Sequence, residues 1–413
     1  MARKDCRVVV TGAAAISPLG HDWPSIREHL RSCHNAVQRI PAWDVYAGLN
    51  TKLAAPAKPF ELPSNYNRKT TRSMGRVAVM AVRATEMALQ QAGMLGHPVL
   101  RSGMAGVAYG SSSGCHESTG EFGRMLNEHT TEGISATTYL KMMSHTAPVN
   151  IGVFFGLCGR VYTTSSACTS GSQGVGAAYE AIRSGKQTVM LGGGSEQLDA
   201  TAAAVFDTLF ATSVRNDAPQ TTPSPFDAHR DGLVLGEGAC TLVLEELEHA
   251  RARGATILAE VVGYGTNSDG QHVTQPSADT MAQAMRLALE DADLDAARIG
   301  YVNAHGTATD HGDIAETQAT AQVFSNGVPI SSLKSYVGHM LGACGAFEAW
   351  MSIEMMREGW FAPTLNLNEL DPRCGALDYI TGSGRELQTD YVMSNNFAFG
   401  GINTSLVFRR WQD

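Results

Sequence analysis

The chain has 413 residues, of which 43% are apolar and 17% charged, a balance typical of a globular protein with a large core and more than one ordinary domain. A net charge of −9 argues against nucleic acid as the main partner, because phosphate binding needs a positive surface. No apolar run approaches the roughly 20 residues of a membrane span, and the 8 cysteines lack the spacing of zinc ligands or of a disulfide framework. We therefore expect a cytoplasmic protein with no membrane span and no nucleic-acid partner.

The first half of the chain alternates short β-branched runs with longer helical patterns, which is typical of a layered α/β fold. The elements predicted there are strands at 7–10, 106–109, 161–165 and 188–191, and helices at 74–92 and 170–184. Gly192, Gly193 and Gly194 are predicted to form the turn after the last of these strands. Residues 110–146 do not fit the alternation and are predicted to be an insertion.

The second half repeats the same order of elements. The predicted strands are 258–262, 299–302, 391–393 and 405–408, and the predicted helices are 279–291, 314–324 and 345–357. Asp279 is the expected N-cap of its helix. The repetition indicates an internal duplication, with residues 1–250 as one half, residues 251–413 as the other, and a join near 246–254.

Cys168 stands where a strand ends and a helix of small residues begins. The unpaired N–H groups and partial positive charge of a helix start favour thiolate over thiol, and such N–H groups can also hold an oxyanion. The alternative is that Cys168 is a buried small residue, as most isolated cysteines are, and the residue alone does not decide between them. Cys115 and Cys344 stay open too, because each lies in a Gly-rich segment that could border a site.

Two histidines change that balance. His305 and His339 each lie in a Gly-flanked turn after a predicted strand, His339 directly before a helix. A single loop histidine is usually structural or merely solvated, whereas a neutral imidazole at a helix start can donate a hydrogen bond to a developing oxyanion. Together with Cys168 they form a nucleophile-plus-oxyanion set.

Four segments in order along the chain make the pattern specific: TTSSACTSG, VNAHGTATDHGD, SLKSYVGHMLGACGAFE and SNNFAFGGIN. They resemble the signature segments of the beta-ketoacyl-(acyl carrier protein) synthases of the I/II type, more synthase II than I, and the resemblance runs nearly end to end. It implies a duplicated thiolase-like fold with five α-β-α-β-α layers. It also implies a homodimer, or a heterodimer with a related ketosynthase subunit.

The resemblance assigns roles to the three groups. Cys168 would accept the acyl chain from an acyl carrier protein, and His305 and His339 would hold the malonyl thioester and stabilise the enolate left by decarboxylation. Attack of that carbanion on the Cys168 thioester would give a 3-oxoacyl product. No cofactor of the chain's own is implied, because the phosphopantetheine arm is carried by the partner carrier protein.

The resemblance also implies supporting residues. Lys334 would pair with Glu316 behind the site, and the backbone N–H groups of Cys168 and Phe399 would form the oxyanion hole. The Phe399 ring would gate access between the acyl and malonyl sites, and Thr307 and Thr309 would contact the pantetheine arm. The positions that would hold a structural monovalent cation are Asn303, Glu348, Ser394 and Asn395.

A local basic cluster stands out on this acidic chain. Arg68, Lys69, Arg72 and Arg76 fall within nine residues, and the family places its carrier-protein docking patch there, with Arg215 as an addition. The alternative is an ordinary solvated helix face. We favour docking, because a positive patch steers an acidic partner.

The predicted acyl pocket departs from the pattern of saturated-chain enzymes. Ser113 and Thr138 stand where bulky apolar or aromatic residues are common, which would widen the tunnel and make it more polar. This suggests a longer, unsaturated or aryl-capped chain, as in polyene or polyketide-like pathways. The alternative is compensation by neighbours such as Tyr139 and Met142.

Two other functions compete with a condensing enzyme. A thiolase would need a second cysteine near the C-terminus, and the segment 396–401 contains none. A non-catalytic chain-length partner subunit would lose its nucleophile, whereas Cys168 and both histidines are present.

Overall fold

The computed structural model describes residues 6–325 and 327–412. The strands in this part of the chain are β1 (Val8–Ile16), β2 (Gln38–Arg39), β3 (Leu53–Ala55), β4 (Ala105–Gly110), β5 (Val161–Thr163), β6 (Val189–Glu196), β7 (Leu235–Gly236), β8 (Gly238–Glu246), β9 (Ala259–Ser268), β10 (Tyr301–Asn303), β11 (Pro329–Ser331), β12 (Trp360–Phe361), β13 (Asp378–Tyr379), β14 (Arg385–Glu386), β15 (Tyr391–Ala398) and β16 (Ile402–Arg410). The α-helices are α1 (Trp23–Arg31), α2 (Arg68–Thr71), α3 (Arg76–Gln91), α4 (His116–Glu128), α5 (Ala136–Met142), α6 (Thr146–Phe155), α7 (Ser170–Arg183), α8 (Ala200–Asp207), α9 (Leu247–Ala252), α10 (Ala278–Asp291), α11 (Asp310–Val323), α12 (Lys334–Val337) and α13 (Cys344–Glu358).

Eleven strands hydrogen-bond in the order β13-β11-β10-β15-β16-β9-β1-β8-β6-β4-β5. Counted outward from the β1–β9 contact, the two halves repeat one topology: β1-β8-β6-β4-β5 on one side and β9-β16-β15-β10-β11 on the other. The pair orientations repeat as well, with two antiparallel pairs followed by two parallel pairs in each half. The fold is therefore duplicated, as the sequence indicates.

The helices complete a five-layered arrangement. α7 and α13 pack on each other between the two sets of strands, and α13 is buried along nearly its whole length. α3 and α6 cover one outer face, and α10 and α11 cover the other. Because the two halves place equivalent loops near the central helices, the segments after β5, β10 and β11 and the β15–β16 turn meet in one region.

Three local predictions were wrong. Gly192, Gly193 and Gly194 lie inside β6 rather than in a turn; a side chain at Gly193 or Gly194 would collide with the backbone oxygen of Cys240 or Gly342, so glycine serves close packing here. β1 runs to Ile16 rather than ending at residue 10 as predicted, because a β-bulge at Thr11 lets its pairing with β8 continue. The N-cap of α10 is Ser277, so Asp279 lies in the first helical turn.

Among residues 6–325 and 327–412, no helix combines the length and the apolar character needed to cross a membrane. The insertion predicted at 110–146 contains α4 and α5. Seven cysteines have free thiols: Cys33, Cys115, Cys158, Cys168, Cys240, Cys344 and Cys374.

Candidate active site

Cys168 lies in a tight 3₁₀ turn, Ala167–Thr169, directly before α7. The turn requires a positive φ of 52° at Ala167, and the Ser170 hydroxyl stabilises it by donating to the Ala167 carbonyl at 2.6 Å. Gly171 allows α7 to approach α13, because a Cβ there would lie 2.8 Å from the backbone nitrogen of Ala346. The sulfur is thereby held at the interface of the two central helices, with the Cys168 residue only 6% exposed.

The structure brings both predicted histidines to this sulfur. His339 Nε2 lies 3.0 Å from Cys168 Sγ, and the rings of His305 and His339 stand 5.1 Å apart at 87°. Cys168 Sγ and one nitrogen of each ring all lie within 4.8 Å of one another. A thiol and two imidazoles that are distant in sequence therefore surround a single small space, about the size of a thioester group.

The pKa of Cys168 differs from the sequence prediction. Burial raises the pKa of the thiol to about 12, opposed by the charge of Lys334 and by hydrogen bonds from the backbone N–H groups of Phe399 and Cys168, and supported by the charge of Glu196. The prediction that the helix start would favour thiolate is therefore wrong for the unacylated site, because desolvation outweighs it. Both histidines are neutral, since burial and the charge of Lys334 hold the pKa of His305 and of His339 well below 6.5.

The alkylation of Cys168 is expected to follow this raised pKa. With a pKa near 12, the rate of modification by iodoacetamide should rise about tenfold per pH unit from pH 7 to 10, because only thiolate reacts and its fraction grows in that way. Peptide mapping by mass spectrometry measures the rate at Cys168. The Glu196→Gln variant should react faster at each pH, because it lacks the negative charge. A plateau below pH 8 would contradict the raised pKa.

Lys334 pairs with Glu348, not with Glu316 as the resemblance implied. Lys334 Nζ lies 2.5 Å from Glu348 Oε1, and both side chains are essentially inaccessible to solvent. Burial acts to lower the pKa of Lys334, but the Glu348 carboxylate outweighs it and raises the pKa above 10.5. The ammonium group therefore stays charged beside the two neutral imidazoles.

Glu316 holds the His305 loop instead. Its carboxyl oxygens accept the backbone N–H groups of His305 at 2.6 Å and Gly306 at 2.7 Å. Burial raises the pKa of Glu316 to about 8 despite these bonds. Asp313 supports the same loop by accepting the Ala308 N–H at 3.1 Å. Glu316 thus fixes the position of His305 through the main chain.

Phe399 lies in the turn between β15 and β16, and its backbone N–H points to the sulfur of Cys168. Its ring stacks at a tilt on Phe206, with centroids 5.3 Å apart. Cys168 supplies a second N–H to the same place. The arrangement offers two backbone donors where an oxyanion would form on a thioester at Cys168.

A cavity of about 610 Å³ opens above these groups, and Cys168, His305 and His339 all line it. Thr307 and Thr309 also line this cavity and hydrogen-bond each other through their hydroxyls at 2.9 Å. Both threonines therefore face the same cavity as Cys168, His305 and His339.

Ser113 and Thr138 are not brought to this cavity. Within the described part of the chain, neither belongs to its lining. Ser113 is exposed, and the Thr138 hydroxyl donates to Glu121 at 2.8 Å while completing the capping box of α5 with Ser135. The hypothesis of a wider, more polar acyl tunnel therefore has no support from these two positions in the single chain.

Two residues near the site were missed by the sequence reasoning. Glu196 is fully buried at the end of β6, and its carboxylate accepts from the Ser111 hydroxyl, from Ser112 and from the Gly342 N–H at 2.5–3.0 Å. Asn396 donates to Glu348 at 2.6 Å and approaches His305 Nδ1 at 3.5 Å. The available signal for Glu196 was a carboxylate two residues after the run of three glycines at 192–194.

The predicted docking residues separate into two groups. Arg68, Lys69 and Arg72 are exposed on and beside α2. Arg76 is exposed as well, but its guanidinium forms a two-pronged pair with the buried Glu237 at 2.6 and 2.7 Å. Arg215 also serves the fold, because its guanidinium donates to the carbonyls of Thr221 and His229 and lies 3.4 Å from Asp231. Its place in the docking surface stays a prediction, with the guanidinium held by these partners and its side chain partly exposed.

Comparison with known proteins agrees with this architecture. The family model described as "Beta-ketoacyl synthase, N-terminal domain" matches residues 5–250, and "Beta-ketoacyl synthase, C-terminal domain" matches residues 258–368. The 3-oxoacyl-(acyl-carrier-protein) synthase 2 of Vibrio cholerae serotype O1 is 36% identical over 412 residues, covering 98% of this chain and 99% of that protein.

Two solved structures extend the comparison. A beta-ketoacyl synthase from Burkholderia phymatum STM815 is 60% identical with a TM-score of 0.97, covering 98% of this chain and 100% of its own. The ishigamide ketosynthase/chain length factor is 30% identical with a TM-score of 0.89, covering 99% of this chain and 100% of its own. With family models and relatives that span the chain, this protein belongs to the beta-ketoacyl synthase family.

Proposed function

We propose that this protein is a 3-oxoacyl-(acyl carrier protein) synthase, which condenses a malonyl thioester with an acyl chain held on Cys168 and releases CO2. The observation that carries the proposal is the convergence of Cys168 Sγ and the two imidazoles within 4.8 Å of one another in a cavity that all three line. The acyl chain that the enzyme extends belongs to fatty acid biosynthesis or to a polyene or polyketide-like pathway.

The first step loads the acyl chain. Cys168 is a neutral thiol in the empty site, and the neutral His339 lies with Nε2 3.0 Å from the sulfur. His339 can therefore take the thiol proton as sulfur attacks the incoming thioester. The oxyanion that forms is held by the backbone N–H groups of Phe399 and Cys168, and the carrier thiol leaves with the proton.

The second step uses the imidazoles as donors. Once Cys168 carries a thioester, His305 and His339 face a malonyl thioester carbonyl in the same space. Loss of CO2 moves electron density onto that carbonyl oxygen. In this step His339 is in the tautomer with its proton on Nε2, so both neutral imidazoles donate an N–H to the oxygen beside the charged Lys334. The resulting carbanion attacks the Cys168 thioester, so the chemistry needs donors rather than a strong base.

The partner is a carrier protein that brings its own phosphopantetheine arm, for which Thr307 and Thr309 line the approach. The exposed Arg68, Lys69 and Arg72 form the docking patch for this acidic partner. We assign the protein to the cytoplasm, as a homodimer or as a heterodimer with a related ketosynthase subunit, with residues 1–250 and 251–413 as its two thiolase-like halves.

A structural monovalent cation fits the residues that the family uses for one. Asn303 Oδ1 is buried with no hydrogen-bond partner among the described residues, which leaves an oxygen ligand unused. Asn303, Glu348, Ser394 and Asn395 would hold the ion through oxygen atoms, the ligands such cations prefer. The ion would supply fixed positive charge beside the Lys334–Glu348 pair.

Reversing the charge of the docking patch is expected to weaken carrier-protein binding. The Arg68→Glu/Arg72→Glu variant should raise KM for acyl carrier protein substrates by roughly tenfold at low salt with kcat little changed, because steering is lost. Steady-state kinetics at two ionic strengths measures this, with Lys186→Glu, another exposed site, as the matched control. If KM rose equally for a short pantetheine thioester, which has no carrier protein, the docking assignment would be overturned.

Reconstitution tests the proposed function as a whole. The purified protein, given acyl and malonyl carrier proteins, should release CO2 and form a 3-oxoacyl carrier protein detectable by mass spectrometry. Cys168→Ala should form none. Activity that appears only on adding a second ketosynthase subunit, and that survives in Cys168→Ala, would identify a chain-length partner instead.

A further inference from the structure

The catalytic cavity holds a set of metal ligands as well as a nucleophile. We propose that Cys168, His305 and His339 bind one borderline or soft divalent ion, of which Zn²⁺ is the representative, and that this ion inhibits acyl loading. All three residues are buried, and their ligand atoms lie within 4.8 Å of one another. No zinc signature marks these ligands in the sequence, because they come from segments far apart along the chain.

The spacing is close to what a tetrahedral ion needs. With Zn–S of about 2.3 Å and Zn–N of about 2.0–2.1 Å, ligand atoms around one ion stand about 3.3–3.6 Å apart. Cys168 Sγ and His339 Nε2 are already 3.0 Å apart. The third ligand, from His305, lies within 4.8 Å of both, so closing the site needs only a small rotation of its ring.

The ligand chemistry also fits. One thiolate and two neutral imidazoles suit zinc, and a site with three protein ligands keeps its fourth position open for water or a small molecule. Here the fourth position faces the cavity that all three residues line. Coordination by the sulfur displaces the thiol proton of Cys168, which passes to the solvent.

The surrounding charges favour a cation despite the buried lysine. The Lys334 ammonium is neutralised by Glu348 at 2.5 Å. Glu196 is a further buried carboxylate whose charge reaches Cys168, and its donors from Ser111, Ser112 and Gly342 are all neutral. A divalent ion with one thiolate carries a net charge of +1, which the Glu196 carboxylate offsets.

A second, deeper set of ligands shares His305. His305, Cys344 and Glu348 also lie within 4.8 Å of one another. Both oxygens of Glu348 are engaged, one by Lys334 and the other by Asn396 at 2.6 Å. A divalent ion in the deeper set would lie close to the Lys334 ammonium, because both would bind Glu348. The outer set need only release one proton, so the outer set is the site.

The ion and the acyl chain exclude each other. A Cys168 thioester has no thiolate to offer, and a metal-bound sulfur is not free to attack a thioester. By linkage, acylation must weaken metal binding by the same factor as the metal weakens acylation. The ion therefore acts as an inhibitor of the unacylated enzyme and leaves the acyl-enzyme unaffected.

Zinc titration of the purified full chain tests the proposal without any substrate, so that its failure would leave the proposed condensing activity untouched. Native mass spectrometry and calorimetry with Zn²⁺ alone should show one ion bound per chain, with about one proton released at neutral pH. Cys168→Ala and His339→Ala should each weaken that binding by more than about tenfold. Cys344→Ala is the matched control and should bind normally.

Two results would overturn the proposal. One is Zn²⁺ binding of unchanged affinity in Cys168→Ala. The other is binding that is lost in Cys344→Ala alone, which would identify the deeper set. Carbamidomethylation of Cys168 in the unaltered chain provides the same comparison without a substitution; binding should be lost there, and retained binding would count against the site.

Discussion

Replacing His305 by alanine should lower the rate of condensation by about 10²–10³-fold, the usual cost of one donor to a developing oxyanion. Loading of Cys168 should be much less affected, because the imidazole nearest the sulfur is His339, with Nε2 3.0 Å from Sγ. His339→Ala should therefore slow both loading and condensation. Rapid-quench measurement of acyl-enzyme formation and of 3-oxoacyl product separates the two steps.

The difference between the two histidines is the informative result. His129→Asn, at an exposed left-handed C-cap that asparagine tolerates, is the matched control and should keep both rates. If His305→Ala lost loading as severely as condensation, the division of roles would be wrong. Circular dichroism of each variant checks that the fold is kept.

Replacing Lys334 by methionine is expected to give the largest loss of stability. Lys334 and Glu348 are both essentially inaccessible to solvent and 2.5 Å apart, and removing one partner leaves the other charge buried alone. The expected cost is about 3–5 kcal/mol in the free energy of unfolding. Because the pKa of Lys334 is raised above its ordinary value, this contribution should persist at neutral pH and be lost only as pH rises beyond the usual lysine range.

A double variant supplies the control for that prediction. Lys334→Met/Glu348→Gln removes both charges, so it should recover much of the stability that Lys334→Met loses. Denaturant unfolding of the two proteins measures the difference. Equal stability of the single and double variants would mean that the pair is not the source of the loss.

The nucleophile and the two histidines could be predicted from the sequence, because each follows a strand in a turn of small residues. Cys168, His305 and His339 carry that local signal, and the duplication predicts that equivalent loops meet. The full length of β6 could not be predicted from the sequence, because its three glycines resemble a turn. Their reason is visible only in the structure, where the backbone oxygens of Cys240 and Gly342 leave no room for side chains.

Pairing inside the site could not be read from sequence. Lys334 has two buried carboxylates within electrostatic reach, Glu316 and Glu348, and only packing decides that Glu348 on α13 takes the ammonium while Glu316 holds the His305 loop. The pKa of Cys168 was mispredicted for a similar reason, since a helix start is local whereas burial depends on the whole fold. The bonds from Arg215 to the carbonyls of Thr221 and His229 could not be predicted either, because they depend on how the loops pack.

The most direct test of the central claim is to locate the acyl group. After incubation with an acyl carrier protein substrate, digestion and mass spectrometry should place the acyl mass on the peptide that contains Cys168, and added malonyl carrier protein should discharge it. An acyl mass on another cysteine such as Cys344 would contradict the account. So would condensation that proceeds while Cys168 stays unacylated, or in the Cys168→Ala variant.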